Sequence, residues 1–99
     1  MSLYRMRALT FAEHGGPEQL VVRDDIAMPT IDAGDSVRVR LVAAALNRLD
    51  LWVLGGIPGS KVRPGWPLGS DGAGIVEAVG SAVTRVKPGD RVIINPGVV

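Results

Sequence analysis

Residues 68–80 decide the fold and read Leu68-Gly69-Ser70-Asp71-Gly72-Ala73-Gly74-Ile75-Val76-Glu77-Ala78-Val79-Gly80. Within this segment, Gly72–Val79 predicts a β-strand, because apolar residues dominate its second half and Gly80 ends it. The small residues Gly72-Ala73-Gly74 open the strand and predict a point where two backbones approach closely. The segments on either side of this strand predict the remaining elements.

The flanking segments predict further short strands joined by turns. The five predicted strands are Arg5–Phe11, Leu20–Arg23, Val37–Ala45, Gly72–Val79 and Arg91–Ile94. The first two form a hairpin with a long loop. Val37–Leu41 alternates at period two, which places Arg38 and Arg40 on a solvated face. Pro88 and Gly89 predict a type II turn before the last strand.

Asn47–Leu54 is the one helix that the sequence predicts. Asn47 suits the N-cap, and Asp50 stands three residues later, where its carboxylate completes a capping box. Gly55-Gly56 supplies the stop. Ile57–Leu68 follows as a loop rich in proline and glycine, either a substrate lid or an ordinary loop.

Composition sets the class of protein and excludes several partners. Ninety-nine residues suffice for one domain, residues 1–99, and 13 Gly with 7 Pro favour short elements over long helices. The predicted elements indicate a mainly β fold, a small β-barrel or sandwich with one short helix. A net charge of +1, with scattered basic residues, predicts no nucleic-acid and no membrane partner. The lack of Cys fits a cytoplasmic location.

Three stretches of the chain, taken in order, resemble one known family. They are Ala45–Trp52, Leu68–Gly80 and Val86–Val92, and the second is similar to the signature G-[HS]-[ED]-x-[AS]-G-x-V-x-x-V-G. The family is the medium-chain dehydrogenase/reductases, and the chain resembles their N-terminal, GroES-like catalytic domain. The resemblance implies a GroES-like β-barrel here and a Rossmann domain elsewhere that binds NAD or NADP.

The resemblance also implies a parent protein larger than this chain. We expect the Rossmann cofactor domain to lie outside residues 1–99, because the chain has no G-x-G-x-x-G and Gly72-Ala73-Gly74 misses that spacing at Glu77. The chain alone is expected to be inactive and to expose apolar surface. The parent is expected to be a homodimeric oxidoreductase.

The zinc-dependent members of this family take a Cys and a His from the first two stretches as ligands of the catalytic metal. The matching positions here are Asn47 and Ser70, which do not suit a site made of thiolate and imidazole. The chain therefore resembles the zinc-free, quinone-oxidoreductase-like branch, with no catalytic zinc. That branch implies hydride transfer between NADP or NAD and a small-molecule quinone, enone or aldehyde.

The candidate catalytic residues are Asn47, Asp50 and Ser70. Asn47 either contacts the nicotinamide or a substrate oxygen, or only caps the helix. Asp50 either polarises a bound water or holds an arginine, or is the capping partner alone. Ser70 either donates a hydrogen bond to the substrate or stabilises a turn.

The candidate substrate-pocket residues are Trp52, Trp66 and Asp71. The two tryptophans either wall a pocket for an aromatic or quinone ring, or pack in the core or at a rim. Asp71 either holds Arg48 or another cation, or is solvated. His14, the one histidine, is interpreted as a turn residue without chemistry.

Two other functions stay open on the sequence alone. The chain is alternatively a stand-alone GroES-like barrel that serves as a binding or oligomerisation module, although the proline-rich loop differs from the long mobile loop of a co-chaperonin. The second alternative is a zinc-dependent alcohol dehydrogenase with a structural zinc beyond residue 99.

Overall fold

The computed structural model describes residues 5–96. Its elements are β1 (Arg5–Phe11), β2 (Leu20–Ala27), β3 (Val37–Ala45), the helix α1 (Arg48–Gly55), β4 (Asp71–Val79) and β5 (Arg91–Ile93), with a short 3-10 turn at Pro17–Gln19. The predicted fold class, mainly β with one short helix, is confirmed. Residues 1–4 and 97–99 of the predicted domain lie outside the described range. No helix in that range is long and apolar enough to cross a bilayer.

The chain divides into two compact units. Among the described residues, the first comprises residues 5–28 and 46–70 and contains β1, β2 and α1. The second comprises residues 29–45 and 71–96 and contains β3, β4 and β5. Each unit has its own antiparallel sheet, in the order β1-β2 in the first and β3-β4-β5 in the second. The candidate catalytic residues Asn47, Asp50 and Ser70 all belong to the first unit.

The sheet of the first unit is the predicted β1–β2 hairpin. Its pairing extends to Ala27, opposite Arg5, so β2 ends four residues later than predicted. Arg23 and Asp25 are both exposed, and they lie where the pairing of β2 with β1 has an irregular register, between Met6 and Ala8. Their side chains are joined there by two hydrogen bonds of 2.9 and 2.8 Å.

Two apolar side chains form the fully buried part of the first unit. Phe11 is 0% exposed and Leu54 is 1% exposed. Thr10 is buried beside Phe11 in the chain, and its hydroxyl donates a hydrogen bond to the Val21 carbonyl oxygen at 3.0 Å. The buried Thr10 hydroxyl is therefore hydrogen-bonded, as buried polar groups generally are.

The second half of the predicted proline-rich loop is hydrogen-bonded to β1. The Gly65 N–H donates to the Phe11 carbonyl oxygen at 2.7 Å, and the Leu68 N–H donates to the Leu9 carbonyl oxygen at 2.9 Å. These backbone bonds favour the ordinary loop over the lid for residues 65–68.

β4 is the central strand of the second unit, and its burial alternates. Gly72, Gly74 and Val76 are buried, with β3 paired on one side and β5 on the other. A Cβ atom on Gly74 would overlap the Arg40 carbonyl oxygen and lie 2.9 Å from the Leu41 Cα. The predicted close approach of two backbones is confirmed here.

Arg38 on β3 has a partner that the sequence did not predict. Arg38 is half-buried, and its Nε donates to Glu77 at 2.7 Å in a contact that is still exposed to solvent. Arg40 is exposed, as predicted. Val37 and Leu41 are 40% and 54% exposed. The partner of Arg38 is 39 positions away in the chain, so alternation along one strand does not predict it.

The predicted type II turn precedes β5. Gly89 has a φ of +97°, and the Asp90 N–H donates to the Lys87 carbonyl oxygen at 3.1 Å. The Asp90 carboxylate accepts from the Lys87 backbone N–H at 3.0 Å and from the Lys87 ammonium at 3.2 Å. The backbone bond first, and the side-chain bond next, hold the pKa of Asp90 below its usual value of 3.8.

This lowered pKa predicts an acid-dependent contribution of Asp90 to stability. The contribution is fully present above the unfolded-state pKa and is lost as the pH falls through the lower folded-state pKa. Urea unfolding between about pH 6 and about pH 2.5 should therefore show a shallower loss of stability for Asp90→Asn than for the wild type. Lys87→Met keeps the backbone donor and should retain most of the wild-type slope. Equal slopes for Lys87→Met and Asp90→Asn would contradict this assignment.

The close approach at Gly74 predicts a large effect of one methyl group. Gly74→Ala should lower the free energy of unfolding by about 2 kcal/mol or more, because the clash is with backbone, which cannot rotate away. Gly55→Ala is the matched control, since a Cβ at Gly55 meets nothing within 4 Å. That variant should be neutral or stabilised by up to about 1 kcal/mol, because Ala is the better helix former. Urea unfolding of both variants checks the difference, and equal stabilities would refute it.

Candidate functional site

The candidate site begins where α1 begins. Asn47 is the N-cap, with extended backbone, and forms a capping box with Asp50. The Asn47 N–H donates to Asp50 Oδ2 at 2.9 Å, and the Asp50 N–H donates to the Asn47 carbonyl oxygen at 3.0 Å. Asp50 is only 7% exposed. The predicted helix start and its capping pair are therefore confirmed.

The other end of α1 is held by the hairpin loop. Gly56 has a φ of +96°, and its N–H donates to the Trp52 carbonyl oxygen at 3.0 Å. The Leu54 carbonyl oxygen accepts from the Gly15 N–H at 3.0 Å and lies 3.2 Å from His14 Nδ1. A carbonyl only accepts, so Nδ1 carries the proton in this contact.

His14 therefore does more than occupy a turn. Its ring also lies against Phe11, with centroids 5.2 Å apart and planes tilted by 44°. The contact between His14 and Leu54 joins residues 40 positions apart, so no local sequence pattern predicts it. His14 helps to set the position of the helix that carries Asn47 and Asp50.

A cavity of about 520 Å³ lies beside α1, entirely within the first unit. Its apolar lining consists of six leucines contributed by β1, β2, α1 and the flanking loops: Leu9, Leu20, Leu46, Leu51, Leu54 and Leu68. Its polar lining consists of Asn47, Arg48 and Asp50. The volume falls in the range of small-molecule sites, which combine apolar walls with a few polar groups. We call this space the leucine cavity.

The leucine cavity brings together two of the predicted catalytic residues, Asn47 and Asp50. Ser70, the third, is half-buried at the end of the first unit, next to β4. Asp71 is the first residue of β4 and belongs to the second unit, where it pairs with Ala45. The catalytic role of Ser70 and the pocket role of Asp71 stay predictions.

The two tryptophans are not core residues. Trp52 is 59% exposed and borders a shallow hollow with Leu51 and residues 55–58, while Trp66 is 50% exposed in the loop. Packing in the core is therefore wrong for both, and packing at a rim stays open. Their contact with a substrate ring stays a prediction.

Sequence reasoning missed the leucine lining and Arg48 as part of the site. The leucines come from separate segments, so their convergence depends on the hairpin and the loop rather than on any local motif. Arg48 stands inside the first recognised stretch but carries no pattern of its own. Its position between Asn47 and Asp50 was the available signal.

The side chains do not assemble a set of metal ligands in the part of the chain that the structure describes. No group of three or more His, Cys, Asp or Glu residues lies close enough there to hold an ion. Asn47 and Ser70 occupy the two positions at which the zinc-dependent relatives were expected to supply Cys and His.

Comparison with known proteins confirms the class suggested by the three stretches, the medium-chain dehydrogenase/reductases. The family model described as the alcohol dehydrogenase GroES-like domain matches residues 33–98. The chain belongs to this family.

Several relatives match over nearly the whole chain. A quinone oxidoreductase from Pseudomonas aeruginosa is 46% identical over 93 residues, which are 92% of this chain and 27% of the relative. A mitochondrial enoyl-[acyl-carrier-protein] reductase from Bos taurus is 41% identical over 96 residues, covering 94% of this chain and 25% of the relative. The chain thus spans about a quarter of the length of these relatives.

Solved structures agree with these matches. The Escherichia coli quinone oxidoreductase complexed with NADPH superposes with a TM-score of 0.76 at 34% identity, covering 88% of this chain and 26% of that one. An NAD-dependent alcohol dehydrogenase gives a TM-score of 0.75 at 47% identity, covering 94% and 26%.

The capping pair at the leucine cavity predicts a measurable loss of stability. Asp50→Ala removes the acceptor of the Asn47 N–H and should lower the free energy of unfolding by about 1 to 2 kcal/mol. Asp24→Ala is the control, since Asp24 is exposed on β2 and forms no ion pair within residues 5–96. The control should stay within about 0.5 kcal/mol of the wild type. Urea unfolding measures both, and an unchanged Asp50→Ala would contradict the role of the cap.

Proposed function

We propose that this chain is the catalytic domain of an NAD(P)H-dependent oxidoreductase that reduces quinones, enones or aldehydes without a catalytic zinc. The observation that carries the proposal is the leucine cavity, whose polar end holds Asn47 and Asp50. Those two residues lie in the first of the family stretches. The quinone oxidoreductases and the enoyl reductase among the relatives support the same reaction class.

The lining of the cavity suits a flat or elongated apolar substrate with one polar end. Six leucine side chains offer apolar contacts to the carbon skeleton, and the polar groups at α1 orient an oxygen atom. In the proposed reaction a quinone gains a hydride and a proton and becomes a hydroquinone, while NAD(P)H is oxidised to NAD(P)⁺. The chain's own contribution is to bind and orient the substrate.

Residues 5–96 do not form a dinucleotide cradle. Both sheets are antiparallel, whereas the nucleotide-binding halves of Rossmann domains are parallel strand-helix-strand units. We therefore propose that a separate domain of the whole protein binds NADP or NAD and that Asn47 lies on the nicotinamide side of the site. The relatives complexed with NADPH or described as NAD-dependent support this class of cofactor. The inactivity of the isolated chain, a homodimeric parent and a cytoplasmic location belong to the same proposal.

The proposal favours the zinc-free branch because of the residues at the two ligand positions. Asn47 offers a neutral carboxamide and already caps α1, and Ser70 offers a neutral hydroxyl. Neither group matches the thiolate and imidazole preferred by catalytic zinc. Hydrogen-bond donors must therefore stabilise negative charge on the substrate oxygen.

Substitution of Asn47 tests the proposal in the chain joined to its proposed cofactor domain. Oxidation of NADPH with 1,4-benzoquinone is followed in the wild type, Asn47→Ser and Asn47→Ala. Serine caps helices about as well as asparagine, so Asn47→Ser should keep its stability within about 0.5 kcal/mol. It lacks the carboxamide, so its kcat should fall by about tenfold or more.

The outcomes separate the competing functions. Loss of kcat in Asn47→Ser with unchanged unfolding assigns Asn47 a part in the reaction beyond capping. If Asn47→Ser keeps the wild-type kcat, Asn47 acts only as a helix cap. If the wild type itself shows no turnover with a quinone, an enone or an aldehyde, the oxidoreductase proposal falls and a binding or oligomerisation module takes its place.

A further inference from the structure

We propose that Arg48 is an oxyanion-binding residue of the leucine cavity, and that its ligand class is a phenolate-type oxygen on an apolar ring. Arg48 is the first residue of α1 and lines the cavity between Asn47 and Asp50. The inference rests on the proposed function for the reaction, because a quinone acquires phenolate character as it is reduced. The binding site itself depends on the cavity alone.

The leucine walls recognise a ligand by its apolar body but do not orient it. Dispersion and burial act on any carbon skeleton of suitable size and carry little direction. Orientation requires the three polar residues Asn47, Arg48 and Asp50.

Neither Asp50 nor Asn47 brings positive charge to a negatively charged oxygen. A carboxylate has only acceptor atoms and repels an anion, and Asp50 Oδ2 already accepts the Asn47 N–H at 2.9 Å. Asn47 is a neutral donor, so its hydrogen bond to an anion is weaker than one from a cation. Arg48 is left as the cationic donor on the lining.

The Arg48 guanidinium is available to a ligand. Its side chain forms no hydrogen bond and no ion pair with any other described residue, and Arg48 is exposed at the cavity. The guanidinium is a planar cationic group with five N–H donors and no acceptor. The helix fixes its backbone, so the donors start from a defined position beside the apolar walls.

The apolar lining narrows the class of anion. An oxygen carried on an apolar ring also buries carbon atoms against the leucines, which a phosphate group does not. A neutral quinone oxygen accepts a weaker hydrogen bond from Arg48, and the bond strengthens as negative charge develops. Arg48 therefore favours the charged state of the oxygen over the neutral one.

Fluorine NMR on this chain tests the site without any hydride transfer. The probes are pentafluorophenolate and hexafluorobenzene, which share the ring and differ in the charged oxygen. The wild type should bind the phenolate about tenfold more tightly than hexafluorobenzene, the effect of one charge-assisted hydrogen bond. Arg48→Gln should abolish that preference and leave hexafluorobenzene binding unchanged.

Arg63→Gln is the matched control, because Arg63 is an exposed arginine of the same unit outside the cavity lining. It should keep the full preference for the phenolate. An equal loss in Arg63→Gln would show non-specific attraction by surface charge, and an intact preference in Arg48→Gln would remove Arg48 from the site. Either result overturns the inference. Retained hexafluorobenzene binding shows that the Arg48→Gln cavity is still folded.

The test also separates this inference from the proposed function. Phenolate binding that depends on Arg48, in a protein whose full form reduces no quinone, keeps the site and refutes the reaction. Turnover of quinone by the full form, with no effect of Arg48→Gln on phenolate binding, keeps the reaction and refutes the role of Arg48.

Discussion

A helix of eight residues has too few internal hydrogen bonds to be stable alone, so the candidate site depends on how α1 is held. At its start the Asn47 N–H is bonded to Asp50 Oδ2, and at its end the Leu54 carbonyl accepts the Gly15 N–H beside His14 Nδ1. Both attachments lie within the first unit. The second attachment holds the helix next to the hairpin, and residues of both line the leucine cavity.

The capping box also determines which polar groups remain for a ligand. Asp50 is buried and directed to backbone, and this removes the strongest acceptor of the cavity from ligand binding. Arg48 follows the cap in the chain and is directed by the same helix start, but it has no bonded side-chain partner among residues 5–96. The capping box therefore stabilises the helix and leaves mainly hydrogen-bond donors for a ligand. Such a site suits an oxygen that gains negative charge.

Local chemistry explains which features were predictable from sequence. The helix start at Asn47, the positive φ at Gly89 and the close approach at Gly74 each depend on residues near one another in the chain or on the absence of a Cβ. The ion pair of Arg38 with Glu77 and the contact of His14 with the helix end join residues about 40 positions apart. The six leucines of the cavity also come from distant parts of the chain. The family motif therefore located Asn47 and Asp50 but did not predict the cavity.

Asn47 affects both the stability of α1 and the chemical groups that the leucine cavity offers to a ligand. A carboxamide has an acceptor oxygen and a donor NH₂ group, so capping through the oxygen is compatible with donation to a ligand through the nitrogen. A serine at the same position satisfies the helix but brings no amide donor, and a thiolate suits a metal but is a poor cap. Asparagine is therefore a residue that serves a capped helix and a metal-free site together. In this chain the choice of cap and the proposed absence of catalytic zinc are two consequences of one side chain.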